Sequence, residues 1–245
     1  MKRALLLALA GAAVLAAGAR SATTATRECN GLMVCVPVAG PWVAVPTGAA
    51  GARPQTQFQL SCPRGYIVGG LDAELSSRQI DVVFDARLGS PVNPGVSTTR
   101  DALFRATKGT QPGTRASFRP HIGCIPTNGG GGTRPPTAVR PAALPTALAA
   151  IYPPGQPVVR HVKNVELRPQ RPQRIAAACA RGEHLVEAWR AIGFYTIDPP
   201  TPAQLRTVRT TLAVKGDRVK VGVRNTLQIG AGATVQVGVV CGGGK

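Results

Sequence analysis

Aromatic residues make up only 4% of this 245-residue chain, acidic residues number 11 and histidines 3. Trp42, with no second aromatic beside it, makes a poor platform for stacking a sugar. There is no Gly-x-Ser-x-Gly elbow, His-Glu-x-x-His helix, phosphate-cradling glycine loop or EF-hand loop. None of His121, His161 and His184 stands in a recognisable catalytic setting; His184 and Glu187 are three apart, which on a strand puts them on opposite faces. Asp72, Glu74, Asp81 and Asp85 hold four of the 11 acidic residues but lack the calcium-loop pattern, so they read as a solvated face. No Cys-x-x-Cys spacing offers a zinc site. The expectation is no catalytic residue, no metal and no cofactor.

The six cysteines carry the organisation. Cys62 and Cys124 lie 62 residues apart, as do Cys179 and Cys241, and the second pair follows the first at an offset of 117 (179 − 62 and 241 − 124). The flanks agree: Cys62-Pro63-Arg64-Gly65, then Ile67-Val68 and Ala73, answers to Cys179-Ala180-Arg181-Gly182, then Leu185-Val186 and Ala191, with one extra residue. Phe58, Leu60 and Cys62 alternate, as do Ile175, Ala177 and Cys179. At the far end Phe118, Pro120, Ile122 and Cys124 correspond to Val235, Val237, Val239 and Cys241. A period of two predicts strands with the cysteine on the apolar face. We read an internal duplication, and a repeated unit predicts a repeated bridge: Cys62 with Cys124, Cys179 with Cys241, and Cys29 with Cys35.

Gly 29 and Pro 22, with few helix-favouring runs, point to many short strands and turns. The fold class expected is all-β: two tandem antiparallel β-sandwich domains of immunoglobulin-like size, each with one long-range disulfide. Met1–Ala19, with Lys2 and Arg3 before an apolar run and Ala17-Gly18-Ala19 at its end, reads as a secretory signal peptide. The remaining boundaries are 20–28 for a loose N-terminus, 29–127 for domain 1, 128–142 for a Gly/Pro linker and 143–245 for domain 2. Export, an even cysteine count and no apolar tail predict a secreted or envelope-associated protein with no membrane span in the mature chain.

Along the chain, Pro37–Pro46 reads as an edge strand or covering segment, since it is bounded by prolines, with Trp42 in the core. Thr210–Val214 and Val219–Val223 read as a hairpin about Lys215-Gly216-Asp217-Arg218. Two units of this size with cysteines so spaced resemble immunoglobulin-like sandwiches, Trp189 standing where those place a core Trp. Leu71 replaces that Trp in the first unit, and Ile122 and Val239 stand where those domains place a Tyr. Cys62-Pro63-Arg64-Gly65 with Gly69-Gly70 is also similar to the start of uncharacterised bacterial secreted β-domain repeats, a resemblance that implies no known activity.

Formal charge is +18; without Lys2 and Arg3 it is 27 basic against 11 acidic, or +16. That suits an anionic polymer or envelope component rather than a specific nucleic acid, although richness in Arg, Ala, Gly and Pro is equally the imprint of GC-rich coding. The sharpest anion-binding feature is Arg168-Pro169-Gln170-Arg171-Pro172-Gln173-Arg174, whose period of three matches polyproline II and would set Arg168, Arg171 and Arg174 in a ladder, with Arg160 and Lys163 upstream. The alternative is an inherited lead-in strand, because Arg53-Pro54-Gln55 precedes the first repeat similarly. The function expected is a non-enzymatic secreted binder of an anionic polymer; an assembly subunit of a surface structure comes second, and a hydrolase with an unrecognised site third.

Overall fold

A computed structural model of the chain describes residues 26–32, 34–47, 54–85, 100–109, 115–127 and 158–243. The segment read as a signal peptide, 1–19, and the linker expected at 128–142 lie outside them. The described residues are all-β but for one short helix, and three disulfides join Cys29 to Cys35, Cys62 to Cys124, and Cys179 to Cys241.

The first half contributes β1 (Val36–Ala39), β2 (Trp42–Val45), β3 (Gln55–Ser61), β4 (Tyr66–Leu75), β5 (Ile80–Asp85), β6 (Asp101–Lys108) and β7 (Ala116–Pro126). The second contributes β8 (Val158–Glu166), β9 (Gln173–Ala178), β10 (Glu183–Phe194), helix α1 (Pro202–Arg206), β11 (Val208–Lys215), β12 (Arg218–Asn225) and β13 (Ala233–Gly243). Every pairing is antiparallel. One seven-stranded sheet runs β1-β7-β2-β10-β13-β8 with β4 on the far edge of β7; β3-β6-β5 and β9-β12-β11 form two three-stranded sheets.

The registers correspond at an offset of 117. Val68 pairs with Cys124 and Leu185 with Cys241, and each of these strands then slips by one residue, at Gly69 and at Val186. This corrects the one-residue insertion read from sequence: both strands carry the same bulge at the same offset, so Val68 answers to Leu185 and no residue is inserted. Asp72, paired with His121, therefore corresponds to Trp189, paired with Gly238; Leu71 is not the counterpart of that Trp. Trp189 lies over Gly238, where a Cβ would stand 1.9 Å from its ring.

The proline-bounded segment expected at an edge is split: β1 lies at the edge, paired with β7 alone among the described residues, whereas β2 is central. Gly40 and Pro41 break it into β1 and β2, and β2 pairs with β7 on one side (Val43 with Phe118) and with β10 on the other (Val43 with Gly193, Trp42 with Phe194). Neighbouring residues of a strand face opposite ways. Val43 and Val45 pack with Phe58, Phe104, Phe118 and Ile122 in the first half's core, whereas Trp42, 2% exposed, packs with Ile175, Val221, Val235 and Phe194 in the second half's. Hence the two small sheets cover opposite faces of the long one. Apolar burial at about 25 cal/mol per Å² makes these two clusters the main source of stability.

Side chains stitch the halves together. Gln236 is fully buried: its Oε1 accepts from Gln59 N–H (2.7 Å) and its Nε2 donates to Gln59 C=O (2.8 Å) and to Asn164 Oδ1 (2.9 Å). Gln57 Nε2 donates to Glu187 Oε1, Arg115 Nη1 to Leu205 C=O and Trp42 Nε1 to Ile197 C=O. The corresponding face of the first half is covered by the segment around the Cys29–Cys35 bridge. The Glu28 carbonyl oxygen sits 1.9 Å from where a Cβ at Gly70 would be and 2.1 Å from one at Gly123, so only glycine admits this strap. Beneath it His121 lies between Glu28 (3.6 Å) and Glu74 (3.5 Å), and Arg27 N–H donates to Asp72 (2.7 Å).

Candidate functional site

The hairpin β11–β12 is built from strict alternation. In β12, Val219, Val221 and Val223 are buried, which forces Arg218, Lys220, Gly222 and Arg224 outward; in β11 the exposed set on that face is Arg209, Thr211, Ala213 and Lys215, and in β9 it is Arg174, Ala176 and Ala178. A tight turn at Gly216 (φ 55°) and Asp217 fixes the hairpin register. Because β12 is the central strand, these three rows of side chains form one continuous solvent face.

Six of the eleven positions on that face are cationic and none is acidic. Arg209 stands directly opposite Arg224, and Lys215 opposite Arg218. Like charges across a strand pair oppose folding. The hairpin's own acid, Asp217, is turned aside, accepting from Leu185 N–H (2.9 Å). Ala176, Ala178, Ala213, Thr211 and Gly222 keep the floor low between the charges; a side chain at Gly222 would meet Thr211 Oγ1 at 2.8 Å. Alternate residues of a strand are about 6.8 Å apart and neighbouring strands about 4.8 Å, so the face is a flat grid of cations suited to a polyanion.

The five arginines and lysines singled out from sequence do not come together. Arg168-Pro169-Gln170-Arg171 is a tight turn, with Arg171 N–H donating to Arg168 C=O (3.3 Å) and Gln170 at φ 58°. The polyproline II ladder is thereby corrected. Its cause is Asn225, largely buried, whose Nδ2 donates to the carbonyls of Arg168 (3.1 Å) and Arg171 (3.0 Å) while Oδ1 accepts from Gln170 N–H (2.9 Å). These bonds satisfy groups that polyproline II leaves to water. Arg174 alone reaches the cationic face. Arg160 and Lys163 sit on β8, an odd number of residues apart and so on opposite faces; the Arg160 guanidinium stacks 5.6 Å above the Trp189 ring. Reasoning from sequence used the alternation of β11 and β12 for their valines and passed over the cations between them.

Comparison of the chain with protein-family models, with curated proteins and with solved structures finds no match in any of the three. Function therefore rests on the geometry.

Two other sites offer less chemistry. A cleft of about 510 Å³ where the halves meet is lined by Gln57, Arg115, Glu187, Trp189, Arg190 and Thr210 among others. Burial lowers the Arg190 pKa, and its Nε donates to Thr210 Oγ1 (2.8 Å). No histidine or cysteine lines the cleft among the described residues, so Glu187 has no acid–base partner there. His161 Nε2 meets Glu183 Oε2 at 2.8 Å beside Cys241, but that sulfur is bonded to Cys179, which leaves a hydrogen-bonded pair rather than a metal site. The four clustered acids separate: Asp72 and Glu74 stand on β4 beneath the strap, whereas Asp81 and Asp85 belong to β5 in another sheet.

Proposed function

We propose that the protein is an exported, non-enzymatic, disulfide-stabilised binder of an anionic envelope or extracellular polymer, which it holds on the outer face of the β9-β12-β11 sheet. The observation that carries this reading is the placement of Arg174, Arg209, Lys215, Arg218, Lys220 and Arg224 on one flat face without a carboxylate. Compositional bias toward arginine has no reason to gather six cations on eleven positions of one sheet face, or to set Arg209 against Arg224. The corresponding sheet of the first half carries Asp81 and Asp101 with Arg105 on its outer side, so the cationic character belongs to one half. In this reading the chain is two tandem sandwich domains, 29–127 and 143–245, that arose by duplication and then diverged; the shared 117 offset and the matching bulges support it.

Replacing the six cations by Gln tests the site. Wild type is expected to stay on a dextran sulfate column to several hundred millimolar salt and the variant to elute early, with the melting temperature unchanged or raised. Equal retention of the two proteins would remove this face as the site. Arg168→Gln with Arg171→Gln serves as the control and should elute close to wild type. N-terminal sequencing of the protein from its host should read from about residue 20 if it is exported.

A second reading, an assembly subunit, draws on β8: nine residues long, it is hydrogen-bonded along one edge only, to β13, among the described residues. An open edge invites another strand. Sedimentation that depends on concentration would favour it.

A further inference from the structure

We infer that the polymer on this face is a phosphodiester-linked polyol chain, with one anionic charge every six backbone bonds and no bases. This rests on the reading of the sheet as a polyanion site and specifies its ligand.

The argument is one of spacing. Arg218 and Lys215 share the first cross-strand step, Lys220 stands at the next, Arg174 (opposite Gly222) at the third, and Arg224 with Arg209 at the fourth. Each step is two strand residues, or about 6.8 Å. Cationic charge is therefore present at every step along the strand direction over about 20 Å, with no step empty and no acid between. A polymer lying along β12 meets one cation per step only if its own charges repeat at about 7 Å. Three backbone bonds of an extended peptide reach about 3.3–3.6 Å, so a repeat of six bonds reaches about 7 Å. Phosphorus to phosphorus through glycerol (P–O–C–C–C–O–P) is such a repeat. Extended polyglutamate meets each step with every second carboxylate but turns the alternate ones away from the sheet, leaving half its charge unmet, and a polysaccharide with a carboxylate on alternate sugars overshoots one step.

Single-stranded nucleic acid shares the six-bond repeat. Its bases would need aromatic platforms, and none of the eleven positions on this face carries a ring. The floor of Ala176, Ala178, Ala213 and Gly222 suits a thin, unbranched chain that lies close to the sheet.

The test measures affinity against salt for the full chain with poly(glycerol phosphate), hyaluronate, polyglutamate and oligothymidylate of matched total charge. Poly(glycerol phosphate) is expected to bind at least about tenfold tighter than the other three. Its log K against log salt should lose about 0.7 in slope for each of Lys220→Ala and Arg174→Gln, as for phosphates on a single strand. Equal binding of all four polymers, with the loss on six-fold Gln substitution intact, would overturn the spacing argument and leave the polyanion site standing. Oligothymidylate binding as tightly as poly(glycerol phosphate) would replace the polyol by nucleic acid. Affinity unmoved by the six substitutions would overturn both readings.

Discussion

Gln236 holds both backbone polar groups of Gln59, 177 residues away in sequence, with a single side-chain amide. The amide closes a two-bond ring against the edge of β3 and gives its remaining proton to Asn164, so its donors and its oxygen are all engaged. Replacing Gln236 by Leu keeps the volume and leaves the part-buried Gln59 N–H and C=O without these partners. The expected loss is about 2–6 kcal/mol, at about 1–3 kcal/mol for each of the two orphaned groups, read from urea denaturation.

The halves should melt together. Trp42 of the first half is in the second half's core, Ala191 of the second is in the first's, and β2 is hydrogen-bonded to both. Calorimetry should show one transition whose calorimetric and van't Hoff enthalpies agree. Two separated transitions would show that the long sheet does not transmit cooperativity.

Two glycine substitutions of equal size should have different outcomes. Gly238→Ala drives a methyl into the Trp189 ring, which is boxed in by Arg160, and should cost about 3 kcal/mol with a change in Trp fluorescence. Gly70→Ala meets the Glu28 carbonyl of the strap at 1.9 Å. Relief of this clash requires the strap to lift from β4, so the effect should include faster proteolysis around residues 26–35.

Acid should weaken the region around the Cys179–Cys241 bridge. The Glu183 carboxylate accepts from His161 and from Ala180 N–H (2.7 Å), and both bonds lower its pKa below the ordinary value, the first more than the second. A carboxylate whose pKa is depressed in the folded state contributes stability above its unfolded pKa and loses it as pH falls through the folded one. Stability of the wild type should therefore decline below about pH 4, and Glu183→Gln should be less stable at neutral pH with a flatter decline. Parallel curves would mean that the pair contributes nothing.

Much of the framework was legible because it obeys a period of two. The valine alternation of β12 and β13 and the turn about Gly216-Asp217 are local patterns with one structural solution each, and the cysteine spacing of 62 was legible because it occurs twice. The central position of β2 was not legible. Prolines mark a strand as peripheral unless another segment pairs across the break, and that segment, the end of β10, lies some 150 residues further on. The Arg-Pro-Gln repeat misled for a related reason. Its backbone conformation is decided by Asn225, a side chain more than fifty residues away that gives the turn hydrogen bonds which polyproline II lacks. The cationic face was written in the sequence from Arg218 to Arg224, but its reach across three strands needed the register that joins β9 and β11 to β12.

The strap at Glu28 occupies on the first half the surface that β3 occupies on the second. Where the second half presents Glu187 and Val240 to its neighbour, the first presents Gly70 and Gly123 to a closed loop pinned by its own disulfide. The contact that joins the halves is head-to-tail, so by itself it has no natural end: a third unit could dock on the first as the first docks on the second. A bridged loop of seven residues covers that step on the first half, so growth by this one contact is blocked at that face.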